Sequence, residues 1–171
     1  MSKVILKRGY IEPDEFVNIC RWKTNRPQSR YSSEDNLKTI KTMSKDIIAF
    51  HLREEQDRTS KSIKLLKSLN GVQVPVASAL LTVMFPKTYC VIDYRVRRAI
   101  YFLENSKNGI LAFEQYSSFT GCLDITSKGP SVKDYVEYLQ KISRESTRLK
   151  CTPRELEMAL WEYDSQVGEK K

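Results

Sequence analysis

The chain has 171 residues, 40% of them apolar and 29% charged, with only six Gly and six Pro. That is enough apolar material for a core at this length, and it argues against a disordered tract. The net charge of +8 makes nucleic acid or another polyanion a reasonable partner, beside the plain alternative of a solvated basic surface.

Helical periodicity dominates in chain order. "EPDEFVNICRWK" (12–23) opens with Pro13 and acids, as helix N-termini prefer. A loop, "TNRPQSRYS", follows, and residues 21–30 form the densest basic piece, with four cations and no acid. The segment 32–52 places Leu37, Ile40, Met43, Ile47 and Ile48 at helical spacing, and 59–69 sets Ile63, Leu66 and Leu69 on one face. "PVASALLTVMF" (75–85) is apolar all round and is expected to be buried on most sides, with Ala77, Ser78 and Ala79 small enough for close helix contacts. "TYCVI" (88–92) reads as a strand without a partner. A helix over 93–103 turns Val96, Ile100 and Leu103 inward, and another is expected over 109–119. Tyr135, Leu139 and Ile142 form one stripe over 131–143. The last helix, 152–165, has Thr152 as cap, Pro153 at its first position and Glu155 to close a capping box. The fold class is all-α, with about eight helices in one domain spanning 1–171.

Cys20, Cys90, Cys122 and Cys151 contain no CxxC pair, and His51 is the single histidine. Those spacings speak against a zinc site and an iron–sulfur cluster and for reduced, mostly buried thiols. No apolar run approaches the ~20 residues of a membrane span, and the apolar run of "MSKVILKRGY" is too short for a signal peptide.

The least ordinary stretch is "LKSLNGVQVPVASALLTVMFPKTYCVIDYRVRRAIYF" (66–102). Leu66 and Leu69 end one helix, Asn70, Gly71, Val72, Gln73 and Val74 make a tight connection, and Pro75 starts the next helix. Gly71 suits a positive φ in so short a turn. The amides around Gln73 and Val74 lie at a helix N-terminus, where partial positive charge attracts phosphate. Asp93 then enters a segment carrying Arg95, Arg97 and Arg98.

This arrangement resembles the helix-hairpin-helix motif: Leu66, Leu69, Gly71, Val72, Ala77, Leu80 and Leu81 fall on its pattern, and Gln73 stands where a second glycine is expected. The spacing of 22 between Gly71 and Asp93, with Val96 and Arg98 in "VIDYRVRRA", is similar to the hairpin-to-catalytic-Asp segment of helix-hairpin-helix (HhH-GPD) DNA glycosylases. The resemblance implies two small helical lobes around a cleft, a hairpin over about 59–85 and a catalytic-Asp helix over about 93–104. It also implies base-excision chemistry on double-stranded DNA. Asp93 would be the catalytic carboxylate; Asn70, Gly71, Val72, Gln73, Val74, Arg95, Arg26 and Arg30 would hold DNA. Pro75 occupies the place of the Schiff-base lysine of bifunctional members, so a monofunctional hydrolase is expected. The cluster-bearing cysteine pattern is missing. Some members hold a monovalent cation, Na⁺ or K⁺, on hairpin carbonyls that correspond to Lys67, Leu69 and Val72; no other cofactor or metal is implied. A DNA-associated cytoplasmic monomer is expected.

Plainer readings stand beside these. Asp93 is also a favoured helix N-cap residue, and the hairpin is also an ordinary αα-turn, so a non-catalytic DNA-binding module is the alternative function. Arg95, Arg97 and Arg98 also suit a solvated face. Trp22, in a cation-rich run suited to base stacking, is expected in the core of its amphipathic helix. Trp161 and Tyr163 are expected to pack the last helix down, and His51 to be structural or exposed.

Overall fold

The computed structural model describes residues 1–105 and 129–168, with no side-chain account of 101, 102, 104, 105, 167 and 168. Among the described residues there are eight α-helices and no strand. They are α1 (Ser2–Arg8), α2 (Pro13–Thr24), α3 (Glu34–Leu52), α4 (Arg58–Lys67), α5 (Val74–Met84), α6 (Tyr94–Asn105), α7 (Val132–Arg148) and α8 (Pro153–Gly168), with a 3₁₀ turn over Gln28–Arg30. The all-α class and most element positions follow the sequence pattern. The short α1 was not anticipated, and the helix expected over 109–119 lies outside the described residues.

Local chemistry sets the helix ends. Glu12 and Glu15 form a reciprocal capping box at α2, behind Pro13. Ser33 accepts from the Asn36 amide to open α3, and Ser131 and Asp134 make a second capping box at α7. At α8 the Thr152 amide donates to Glu155 at 2.7 Å and the Glu155 amide donates back to Thr152 at 3.2 Å, as the sequence signal predicts. The Gly9 amide at φ 86 closes α1 by donating to the Ile5 carbonyl.

α5 is the central element. Nine of its eleven residues are buried, and it packs against α1, α2, α4 and α7. Ala77 and Ala79 are fully buried, and such small side chains let neighbouring backbones approach. Around it, Phe16 and Ile19 of α2, Ile40 and Ile47 of α3, Ile63 and Leu66 of α4, and Tyr135 and Ile142 of α7 complete the core. The α3 and α7 stripes lie where periodicity places them, whereas Leu103 of α6 is exposed rather than inward. Cys20 and Cys90 are buried reduced thiols and Cys151 is half-buried; burial pushes the Cys20 thiol up to about 12. No helix of the described residues is long and apolar enough to cross a membrane.

Candidate functional site

Past the exposed Thr88, the stretch 89–92 is buried yet pairs with no strand. Side chains satisfy its backbone instead. The Tyr135 hydroxyl donates to the Cys90 carbonyl at 3.1 Å and the Tyr138 hydroxyl to the Val91 carbonyl at 2.9 Å. The Val91 amide donates to Glu157 Oε2 at 3.2 Å, and the Ile92 amide to Ser78 Oγ at 3.1 Å. Four polar groups from α5, α7 and α8 therefore do what a neighbouring strand would do. The result is a fixed backbone that delivers the next residue, Asp93, to a set position.

Asp93 caps α6. Its Oδ1 accepts from the Arg95 amide at 3.0 Å, and its carbonyl accepts from the Arg97 amide at 3.1 Å. Its Oδ2 accepts from Lys23 Nζ at 2.6 Å. Lys23 comes from the last turn of α2, three residues beyond the buried Cys20, so it leaves the helix on the flank facing α5 and the site. The pair is sheltered, with side chains 11% (Lys23) and 19% (Asp93) exposed.

The pair opens on a cleft of about 620 Å³. Three large aromatic side chains line it while keeping solvent exposure: Trp22 at 60%, Tyr94 at 50% and Trp161 at 38%. Guanidinium groups cover two indole faces. Arg95 lies 5.0 Å from the Trp161 centroid, and Arg154 lies 5.7 Å from that of Trp22. Arg154 also pairs with Glu157 on the floor of the cleft. Burial pushes the Glu157 carboxyl up, against the opposing pull of Arg154 and the Val91 amide.

The expected hairpin residues lie elsewhere. None of Asn70, Gly71, Val72, Gln73 and Val74 lines the cleft; their link to Asp93 runs through α5, whose Ser78 holds the Ile92 amide. In the turn, Val72 and Val74 are buried while Asn70 and Gln73 are exposed. The Val72 amide closes the turn onto the Leu69 carbonyl at 3.1 Å. Gly71 has φ +80, as expected, for a reason of its own: a Cβ there would stand 2.7 Å from the Arg30 carbonyl oxygen and 2.8 Å from Arg30 Cγ. The glycine admits the chain's own Arg30. Arg26 lines a separate polar groove with Asn18, Arg21, Asn25 and Gln28. Of the predicted residues, then, Asp93 and Arg95 share the cleft, Arg30 joins the hairpin, and Arg26 stands in a groove that touches the cleft through Trp22.

For a hairpin cation, one lone pair of the Leu69 carbonyl is already used, and residues 66–75 contain no Asp or Glu. Such a turn offers carbonyl oxygens but no carboxylate of its own to a cation. Among the described residues no three His, Cys, Asp or Glu side chains converge as metal ligands.

Trp22 corrects its expected core placement: the buried face of α2 is Phe16, Val17, Ile19 and Cys20, and Trp22 projects away from it. Trp161 faces the cleft rather than the core, on the exposed side of a helix whose inward acids are Glu157 and Asp164. Arg98 is no free surface cation, since it forms a two-bond ion pair with Asp164 at 2.7 and 2.5 Å. His51 is structural, stacked on Phe85 and bonded to Tyr89. Lys23, Arg154 and Glu157 were not singled out by sequence, because their roles depend on α2 and α8 meeting at α6. The only advance signal was the dense run of cations and Trp22 over 21–31.

No protein-family model matches the chain, and no curated protein and no solved structure matches it.

Proposed function

We propose that this chain is a DNA glycosylase-like enzyme that hydrolyses the N-glycosidic bond of a base extruded from duplex DNA, with the two-lobed helix-hairpin-helix arrangement that its sequence resembles. One observation carries the reading. A carboxylate at a helix N-terminus, Asp93, opens on a cleft with aromatic walls large enough for a nucleobase.

An extruded base finds ring faces to stack on in Trp22, Tyr94 and Trp161. The bond from C1′ to the base nitrogen breaks with both electrons leaving on the base, and positive charge develops at C1′ and the ring oxygen. Asp93 stabilises that charge and orients the water whose oxygen bonds to C1′. The water proton is lost to solvent or to the departing base. Pro75, in the first turn of α5, offers no amine from the hairpin for strand cleavage.

The Lys23–Asp93 ion pair favours a second reading, a DNA-binding module without catalysis. An ammonium 2.6 Å from the carboxylate opposes the field that would stabilise a cationic sugar. Base release from a lesion-bearing oligonucleotide panel, with Asp93→Asn alongside, separates the two. The glycosylase reading expects release by the wild type, none by Asp93→Asn, and nearly equal DNA affinity for both. DNA binding with no base released from any substrate would leave the module reading. The expected product is an intact strand with an abasic site; strand scission that disappears in Lys23→Gln would show that this amine attacks the sugar.

A further inference from the structure

We infer that Asn36 is a positioning residue that locks the 26–31 segment and the hairpin into one clamp, and that the clamp's ligand is the phosphodiester backbone of duplex DNA. The inference rests on the nucleic-acid reading above but uses neither Asp93 nor its cleft.

Asn36 lies in the first turn of α3 and is only 2% exposed. Its side chain spends its hydrogen bonds on two other parts of the chain. Nδ2 donates to the Tyr31 carbonyl at 2.9 Å and to the Asn70 carbonyl at 3.0 Å, and Oδ1 accepts from the Asn70 amide at 2.8 Å. A buried amide with three backbone partners on two loops fixes their separation, since shifting either loop leaves a buried polar group unpaired. The contact between Arg30 and Gly71 runs alongside: the Arg30 carbonyl and the first part of its side chain fill the space where another residue would carry Cβ.

The two joined segments carry no acid of their own; Glu34 and Asp35 precede Asn36 in the first turn of α3, and Glu34 is paired with Lys38. Neither 21–30 nor 58–75 contains an acid. Most other cations with a nearby carboxylate use it, as Arg8, Lys23, Lys41, Arg98 and Arg154 do. Arg26, Arg30, Lys64 and Lys67 are exposed and outside those ion pairs, as are Lys3, Lys7, Arg21, Lys45, Lys87 and Lys150; what sets Arg30 apart is its fixed seat against the hairpin. Arg26 and Arg30, on the segment that Asn36 ties to the hairpin, with Lys64 and Lys67 on the last turn of the helix leading into it, offer cations to a row of phosphates, and contacts of this kind position a duplex without reading its sequence. Arg30 contributes the charge; Asn36 contributes the place where that charge is held.

Fluorescence anisotropy with an undamaged labelled DNA duplex, repeated over a sodium chloride series, tests this. Each phosphate contact adds about 0.9 to the slope of log affinity against log salt. Arg30→Ala is expected to lower the wild-type slope by about one contact, and Asn36→Ala to lower it by a similar amount. The double variant is expected to be little worse than Arg30→Ala alone, because Asn36 acts through Arg30. Lys133→Ala, on α7, is expected to keep the wild-type slope. Should Asn36→Ala not fold, Gly71→Ala displaces Arg30 while keeping the Asn36 side chain, and the same loss of slope is expected. A wild-type slope in folded Asn36→Ala or Gly71→Ala, or full additivity with Arg30→Ala, overturns the clamp and leaves the nucleic-acid reading standing. Wild-type binding with no salt dependence overturns both.

Discussion

Replacing Arg98 by Met should unfasten the helix that carries Asp93. α6 packs chiefly on α8, and Arg98 reaches across that contact to Asp164 with two hydrogen bonds. Asp164 is 0% exposed, whereas the Arg98 side chain keeps 18%. The asymmetry sets the magnitude. Removing the partly wet partner leaves the fully dry one charged and without its main cation, and losing one member of a buried pair typically costs about 3–5 kcal/mol. Because solvent can follow the missing Arg98 side chain inward, the low end, about 3 kcal/mol, is the expectation. For a chain of this size each kcal/mol shifts Tm by roughly 2–4 °C, so Arg98→Met should melt about 6–12 °C lower. Arg98→Met/Asp164→Leu removes both charges and should recover most of that loss, since apolar replacement of a buried pair is often neutral. Differential scanning calorimetry or urea unfolding of the two singles and the double closes the cycle. An Arg98→Met variant within about 1 kcal/mol of wild type would refute the reasoning, because a dry Asp164 cannot lose its guanidinium so cheaply.

Two further outcomes follow from the turn and from the single histidine. Gly71→Ala and Gly9→Ala both place alanine at positive φ, +80 and +86, which costs about 1–2 kcal/mol in each case. Only Gly71 has backbone in the way of a Cβ, so urea unfolding should show Gly71→Ala costing about 1–3 kcal/mol more than Gly9→Ala; equal losses would mean that Arg30 does not lie against the hairpin. His51 Nδ1 donates to the Ile47 carbonyl at 2.7 Å, which leaves Nε2 to accept from the Tyr89 hydroxyl at 2.5 Å while Thr59 bonds the same hydroxyl at 3.1 Å. Burial holds the His51 pKa below 6.5, so in the folded state the neutral ring is favoured. The unfolded chain then binds more protons over that interval, and this contribution to stability is full above about pH 6.5 and lost as pH falls through the folded value. Stability followed against pH for wild type and His51→Gln should differ in slope below pH 6.5. The difference removes Glu157, whose raised pKa acts in the opposite sense, and parallel profiles would rule out a buried neutral His51.

What the sequence made legible is local. Periodicity located the stripes of α3 and α7, and Thr152, Pro153 and Glu155 marked the start of α8. Asp93 was readable as a helix cap, and it is one. What was not legible depends on non-local partners. "TYCVI" looked like a strand in search of a neighbour, because nothing in its composition reveals that Tyr135, Tyr138, Ser78 and Glu157 would hold its backbone. Trp22 looked like core because an amphipathic helix offers an indole a buried face, yet Phe16, Val17, Ile19 and Cys20 already fill that face of α2.

Gly71 shows how a correct expectation can rest on an incomplete reason. A glycine in so short a turn suggested a positive φ, and its φ of +80 agrees. The space beside it is nevertheless taken by Arg30, a residue forty-one positions earlier. Gln73, where the motif has a second glycine, sits at φ −107, an ordinary extended conformation, so the backbone at this position does not require glycine. Its side chain is exposed at the start of α5. Gly71 therefore meets two local needs at once, the positive φ of the turn and the room that the Arg30 backbone and side chain occupy.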